Sequence, residues 1–586
     1  MIKLFKNFTK RDKIIVLCVV FLVVFSVFLD LRMPEYMSKI TKLVQTEDST
    51  MRDILTAGFS MLVCAVSSLI CTIFIGYLTS LLSANFSKNV RRKIFAKVED
   101  FGIAEIKKFS TSSLITRTTN DVTQIEMLLS MGLQMMIKSP VMAVWALLKI
   151  LGKSGELSLI TATGVIIIVC TNLFIIKTVT PRFEKMQKLT DKINGVTREN
   201  LTGIRVIRAF NAEEFQMNRF EDVNDELTDT QLANQKTFAI MSPIMNFVMH
   251  FQHLGIYFVG AYIIVRSGMI DKINMFSNMV VFSSYGMQVI MSFLMLTMIF
   301  MILPRAQVSA RRLNEVLEED ISVKSGEFDG TTKETGLVEF KDVSFKYPDA
   351  DEYLLKNISF KVNKGETIAF IGSTGSGKST LINLVPRLYD ATDGEVLVDG
   401  VNVKEYKLSA LNNKIGYISQ KAVMFTGSVM DNVTYGDNGR DKPDLKKVKK
   451  ALDVAQASDF VNKMDKGVDS HIARGGTNVS GGQKQRLSIA RAIARDPEIY
   501  IFDDSFSALD YKTDSTLRKE LKKYTKDATI MIVAQRIGTI MNADKIVVLD
   551  KGECVGIGTH KELLKKCTVY KEIALSQLSE EELNNA

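Results

Sequence analysis

The chain has 586 residues, too long for one ordinary domain, and pairs 46% hydrophobic with 24% charged residues. Positive mean hydropathy beside that much charge is explained if one half is membrane and the other soluble. The net charge of +9 is not a nucleic-acid signal, because its Lys and Arg lie in loops beside apolar spans, as the positive-inside bias predicts; no nucleic-acid partner is expected.

In chain order, a basic start (Lys3, Lys6, Lys10, Arg11, Lys13) precedes an apolar run. The run lacks an A-x-A-like site and meets Asp30-Leu31-Arg32, so an uncleaved first span is expected. A span needs about 20 mostly apolar residues. Six stretches qualify: residues 14–33, 55–82, 131–151, 157–179, 241–265 and 276–303. Short links follow the first, third and fifth spans, and long basic links, 83–130 and 180–240, follow the second and fourth. That alternation implies both termini on the cytoplasmic side of a lipid membrane. The long links are polar yet periodic, and read as helices continuing the spans. Within 199–214, Leu201, Ile204, Ile207 and Phe210 share one face, which suits either a bundle core or a docking surface.

In the fifth span His250 and His253 share a face with Tyr257 one turn on; two histidines alone make a poor metal site, and a polar cavity role is preferred. Lys138 and Lys149 in the third span either face a cavity or snorkel. Met287, Met291, Met295 and Met298 form a stripe on the sixth, suited to packing or to a surface accepting varied apolar ligands. Six cysteines, Cys18, Cys64, Cys71, Cys170, Cys554 and Cys567, show no ligand spacing and read as small hydrophobes in a reduced compartment.

A polar linker, 321–336, leads into a soluble half over 337–580. There the apolar run 367–371 is followed by Gly372, Ser373, Thr374, Gly375, Ser376, Gly377, Lys378, Ser379 and Thr380, which fit G-x-x-x-x-G-K-[ST], and then by a helical run. Glycines let backbone N–H groups crowd a phosphate; Lys378 reaches the β- and γ-phosphates and Ser379 ligates Mg²⁺. The run 499–504 (IYIFDD) has the form of a second nucleotide-site strand, with Asp503 as the Mg²⁺ acid. Alternating strands and helices imply a mostly parallel sheet with its site at the strands' carboxyl ends. The expected fold is therefore an all-α six-helix membrane domain over 1–320 followed by an α/β P-loop NTPase domain.

These motifs, with VSGGQ at 479–483 running into KQRLSIARAIARDP, resemble the ATP-binding cassette (ABC) superfamily, and the layout resembles an exporter half-transporter. The resemblance implies that Tyr347 stacks on adenine and that Gln420 touches Mg²⁺ and senses the membrane half. It implies that Ser480, Gly481, Gly482 and Gln483 clamp the γ-phosphate held by another cassette, and that Asp510 is the D-loop aspartate. Residues 112–121 and 199–214 look like exporter coupling regions. Two catalytic positions depart from the family: Asp504 stands where it carries Glu, and Gln535 where it carries His. Arg474 also replaces a common Glu. Asp withdraws the carboxylate by over ~1 Å from an attacking water, a misplacement that can cost about a hundredfold. Gln535 cannot carry a proton as histidine can. Both changes beside an intact signature resemble the degenerate-site partner of bacterial heterodimeric multidrug exporters. The expected partner is a second, different half-transporter, and the expected substrate an amphiphilic small molecule. The alternatives are a slow homodimeric exporter and a lipid- or peptide-translocating ABC ATPase.

Overall fold

The computed structural model describes residues 3, 8–46, 49–151, 155–266 and 269–578. Lys6 of the basic start, residues 579–580 of the expected soluble half, and parts of the three short links (47–48, 152–154, 267–268) lie outside the described residues. The chain divides into two units.

The first unit comprises Met1–Glu99 and Ser112–Glu319. Its helices are α1 (Lys10–Gln45), α2 (Met51–Glu99), α4 (Thr111–Leu151), α5 (Gly155–Ala209), α6 (Glu213–Ala239), α7 (Met241–Arg266) and α8 (Met269–Glu318); the intervening α3 (Ile103–Phe109) belongs to the second unit. Among the described residues, six helical stretches are long and apolar enough to cross a membrane. Helix α1 starts at a reciprocal cap, Thr9 Oγ1 accepting from the Asp12 amide at 3.2 Å and Asp12 Oδ2 from the Thr9 amide at 2.9 Å. It runs unbroken through Asp30 and Arg32. The long links are helical continuations of the spans, as their periodicity implied.

The buried seam includes Val27, Leu31, Ala146, Ile256, Phe282 and Tyr285, while Leu69, Phe74, Leu159, Leu173 and Phe258 are exposed, as an apolar solvent requires. Two lysines of the third span are paired, as the cost of an isolated ion in hydrocarbon favours. Lys138 meets Asp30 at 3.1 Å and Lys149 meets Glu35 at 2.7 Å, so neither lysine merely snorkels. The methionine stripe is exposed, with Met291 at 53%, so it is not packing within this chain. Leu201 and Phe210 are 71% and 78% exposed, and only Ile207 of that face is buried, so the bundle-core reading of 199–214 fails. His253 Nδ1 lies 3.1 Å from the Met249 carbonyl, and no group of three metal-ligating residues occurs among the described residues.

The second unit comprises Asp100–Thr111 and Asp320–Ala586. Its central sheet has the order β12-β11-β3-β10-β9-β6: β3 (Thr367–Gly372), β6 (Ile415–Ile418), β9 (Ile499–Asp503), β10 (Thr529–Val533), β11 (Lys545–Asp550) and β12 (Glu553–Gly558). All neighbours are parallel except β11 and β12. An antiparallel sheet, β2-β1-β4-β5, holds β1 (Val338–Phe345), β2 (Leu355–Val362), β4 (Asp393–Val398) and β5 (Val401–Asn402). A small ribbon pairs β7 (Gly427–Ser428) with β8 (His471–Ile472). In register, Val533 of β10 lies opposite Asp503 of β9 and Phe370 of β3, so the ends of the three strands share one level.

Residues 321–336 pack on the second unit: the Phe328 amide donates to the Glu405 carbonyl at 2.9 Å, and the Phe328 ring meets Tyr406 edge-on at 4.9 Å. The short helix α3 (Ile103–Phe109) belongs to the second unit. Its Ile103 and Ala104 lie on the unit's apolar core, and its buried Glu105 accepts from the Ser322 amide at 3.1 Å. Residues 112–121 are tied instead to α8. Arg117 reaches Glu315 at 2.9 Å and the Arg312 carbonyl, and buried Asp121 accepts from Ser309 at 2.9 Å and pairs with Arg312. Burial of these groups demands such partners.

Candidate nucleotide site

The loop between β3 and α9 (Lys378–Asn383) is shaped by two constraints. Gly377 has φ +92, and a Cβ there would lie 2.5 Å from Leu355 Cδ2. At Gly372 a Cβ would lie 2.0 Å from the Leu549 carbonyl oxygen. Only glycine meets both demands. Ser373, Thr374 and Gly375 form the exposed rim, and nothing lies within 4 Å of a Cβ built on Gly375, so a large anion can approach the backbone there. Lys378 Nζ folds back onto the carbonyls of Gly372 and Ser373 at 2.8 and 2.7 Å, acceptors a phosphate can replace. Burial holds its ammonium below the ordinary lysine range. Ser376 is buried under the loop, and Thr380 bonds the Tyr347 hydroxyl at 2.8 Å.

Ser379 Oγ donates to Asp503 Oδ1 at 2.6 Å. Both oxygens are the kind a hard divalent cation takes, and two such groups in contact fit one cation shared between them. Burial raises the Asp503 carboxyl above the usual carboxylate range, against the pull of Ser379, Tyr417 and Lys378, as expected of an acid awaiting a positive partner. Tyr417, which sequence reasoning missed, lies 3.4 Å from Asp503 and donates to Asn383 at 2.9 Å. Its only sequence signal is an inward position on a strand next to Gln420.

Asp504 adopts φ +47 and is buried beside Asp503. Burial raises its carboxyl too, with Gln420 opposing and Asp503 adding to the rise. One oxygen, Oδ2, accepts from both Gln535 Nε2 at 2.8 Å and Gln420 Nε2 at 3.3 Å. The two departures from the family are therefore bonded to each other.

The signature lies elsewhere on the unit. Ser480 caps helix α10 (Gly481–Arg495): its amide donates to Gln483 Oε1 at 2.9 Å, and the Gln483 amide returns to Ser480 Oγ at 3.3 Å. Ser480 and Gly481 are exposed, and no hydrogen bond joins residues 480–483 to residues 372–380 among the described residues. An open helix N-terminus of this kind suits an anion brought from outside. Asp510 caps α11 (Tyr511–Tyr524) by accepting from the Thr513 amide at 2.9 Å, which holds its carboxyl below the usual range. The structure thus gathers Lys378, Ser379, Gln420, Asp503, Asp504 and Gln535 at one locus, and leaves Ser480–Gln483 and Asp510 outside it.

Residues 16–313 match the ABC transporter transmembrane region and residues 355–507 match the ABC transporter cassette. An uncharacterized ABC transporter ATP-binding protein of Mycobacterium tuberculosis is 38% identical over 529 residues, 89% of each chain. An ATP-dependent lipid A-core flippase of Mannheimia succiniciproducens is 30% identical over 505 residues, 86% of this chain and 85% of the flippase. The solved structure of a bacterial Atm1-family ABC exporter with ATP bound shares the fold, with a TM-score of 0.81 at 22% identity over 97% of this chain and 100% of that one. The chain belongs to the ABC transporter family, as a half-transporter with one transmembrane region and one ATPase cassette.

Proposed function

We propose that the chain is one half of a heterodimeric exporter of amphiphilic small molecules in the bacterial cell membrane, with its N-terminus and cassette in the cytoplasm. Its own site binds ATP and Mg²⁺ but turns nucleotide over slowly. The observation that carries this reading is the Asp504 carboxylate capped on one oxygen by two amides. Both bonds fall on Oδ2, so orienting or deprotonating a water is left to the single remaining oxygen, Oδ1. Here the side chain is a methylene short, and Gln535 offers no ionisable group.

The binding groups are otherwise complete. The loop amides and Lys378 hold phosphates, Tyr347 carries the base, and Ser379, Asp503 and Gln420 hold Mg²⁺, which neutralises phosphate charge when bound. The open signature helix serves the partner's nucleotide, with Asp510 fixing the start of the next helix. The exposed face around Leu201 and Phe210 is a docking surface for a cassette of the assembled dimer. Closure of two cassettes on ATP then moves the membrane half, and hydrolysis in the partner's site resets it. Co-purification from the native host tests this. A second half-transporter with Glu and His at the two altered positions is expected; a pure homodimer with brisk ATPase would overturn the reading.

A second reading, translocation of a lipid, is favoured by the 30% identity to a lipid A-core flippase. ATPase stimulation by lipids and not by amphiphilic drugs would select it.

A further inference from the structure

The aromatic ring assigned to the nucleobase already carries a cation. Lys107 Nζ of α3 lies 4.9 Å from the centroid of Tyr347 and 5.8 Å from that of Tyr389. The two rings stand at 84° with centroids 5.3 Å apart, so the ammonium fills the corner between them. The Tyr389 hydroxyl, with smaller contributions from Tyr347 and Asp349, holds the ammonium above its ordinary range despite partial burial, so it stays charged. Tyr347 is fixed from below, its hydroxyl on Thr380 at the start of α9 and its edge against Phe345 at 5.0 Å. A cation over a ring face and a purine stacked on that face claim the same space.

We infer that Lys107 competes with the nucleobase for the Tyr347 face, so that base binding expels the ammonium and loosens α3 on the cassette. The inference rests on Tyr347 being the base platform. It makes α3 a reader of base occupancy, distinct from the phosphate groups that read triphosphate. Lys107 is a positioning residue in this scheme, since it leaves when the base arrives.

The test is equilibrium binding of Mg-ATP and of Mg-tripolyphosphate, which lacks a base, to the purified full chain. Lys107→Met keeps the apolar stem and removes the charge. It should tighten ATP by about three- to tenfold, the worth of a partly exposed cation–ring contact. It should leave tripolyphosphate unchanged, and its effect should vanish in a Tyr347→Leu background. Lys107→Arg, a stronger ring partner, should weaken ATP and guards against a trivial effect of disturbing α3. Unchanged or weaker ATP binding by Lys107→Met, or an equal change for tripolyphosphate, overturns the inference. Tyr347→Leu alone separates the two layers. If it fails to weaken ATP, the platform itself is wrong and the inference falls with it; if it weakens ATP while Lys107→Met does nothing, only the competition is wrong.

Discussion

Restoring the two altered catalytic groups together should revive this chain's ATPase, whereas restoring either alone should not. Asp504→Glu advances the carboxylate by over ~1 Å, which can be worth about a hundredfold, or about 2.7 kcal/mol of barrier. That longer side chain still faces Gln535, now 2.8 Å from Asp504 Oδ2, and Gln420 at 3.3 Å. Freeing a carboxylate oxygen from a charge-assisted bond costs about 1.5–3 kcal/mol, which offsets most of the gain. The single variant should therefore rise less than about tenfold. Gln535→His alone supplies an ionisable group to a carboxylate that remains short, and should also give less than about tenfold. The double variant removes both faults and should rise by about a hundredfold or more. Phosphate release at saturating Mg-ATP by the assembled pair, with the partner's own catalytic carboxylate removed so that only this chain's site reports, measures all four. Asp504→Glu matching the double variant, or a double variant no faster than the parent, would refute the argument from the capped carboxylate.

Metal uptake should be pH-dependent. Burial raises the Asp503 carboxyl, so a proton competes with Mg²⁺ for its oxygens as pH falls towards that raised carboxyl, and apparent Mg²⁺ affinity in the presence of ATP should weaken on acidification. Mg²⁺ affinity that does not change as pH is lowered would contradict the assignment of Asp503. Lys414 joins buried Asp399 at 2.8 Å and Glu498 at 2.9 Å. Lys414→Met should destabilise the cassette by about 3–5 kcal/mol by leaving Asp399 unpaired, read as a fall in its thermal unfolding midpoint.

Much of the fold was legible because its signals are local. Six apolar runs and the strand–glycine loop–helix pattern each sit in one stretch of chain, and each reappears as a helix or as the β3–α9 turn. What was not legible depends on distant partners. The charge on Lys138 does not reveal that Asp30 answers it, nor does the polarity of 321–336 reveal that Phe328 packs on Tyr406. Nor does the sequence reveal that 112–121 is bound to α8 through Arg117 and Asp121, or that Ile103 and Ala104 lie on the apolar core of the second unit. At the nucleotide site the residue types were readable, but not that Gln535 and Gln420 converge on one oxygen of Asp504, since that follows from the shared level of β9 and β10.

The most direct measurement of the central claim compares two lesions in the assembled pair. Lys378→Ala weakens phosphate binding in this chain's own site, where Lys378 now rests on the Gly372 and Ser373 carbonyls. Ser480→Arg puts bulk and charge at the exposed start of the signature helix, which the account assigns to the partner's working site. Steady-state ATP turnover and export are read for each single variant. Ser480→Arg should abolish both while Lys378→Ala leaves a measurable fraction, because the competent site keeps all its catalytic groups and loses only closure energy. Equal loss from the two lesions would contradict this, since that is the behaviour of a dimer whose two sites are the same.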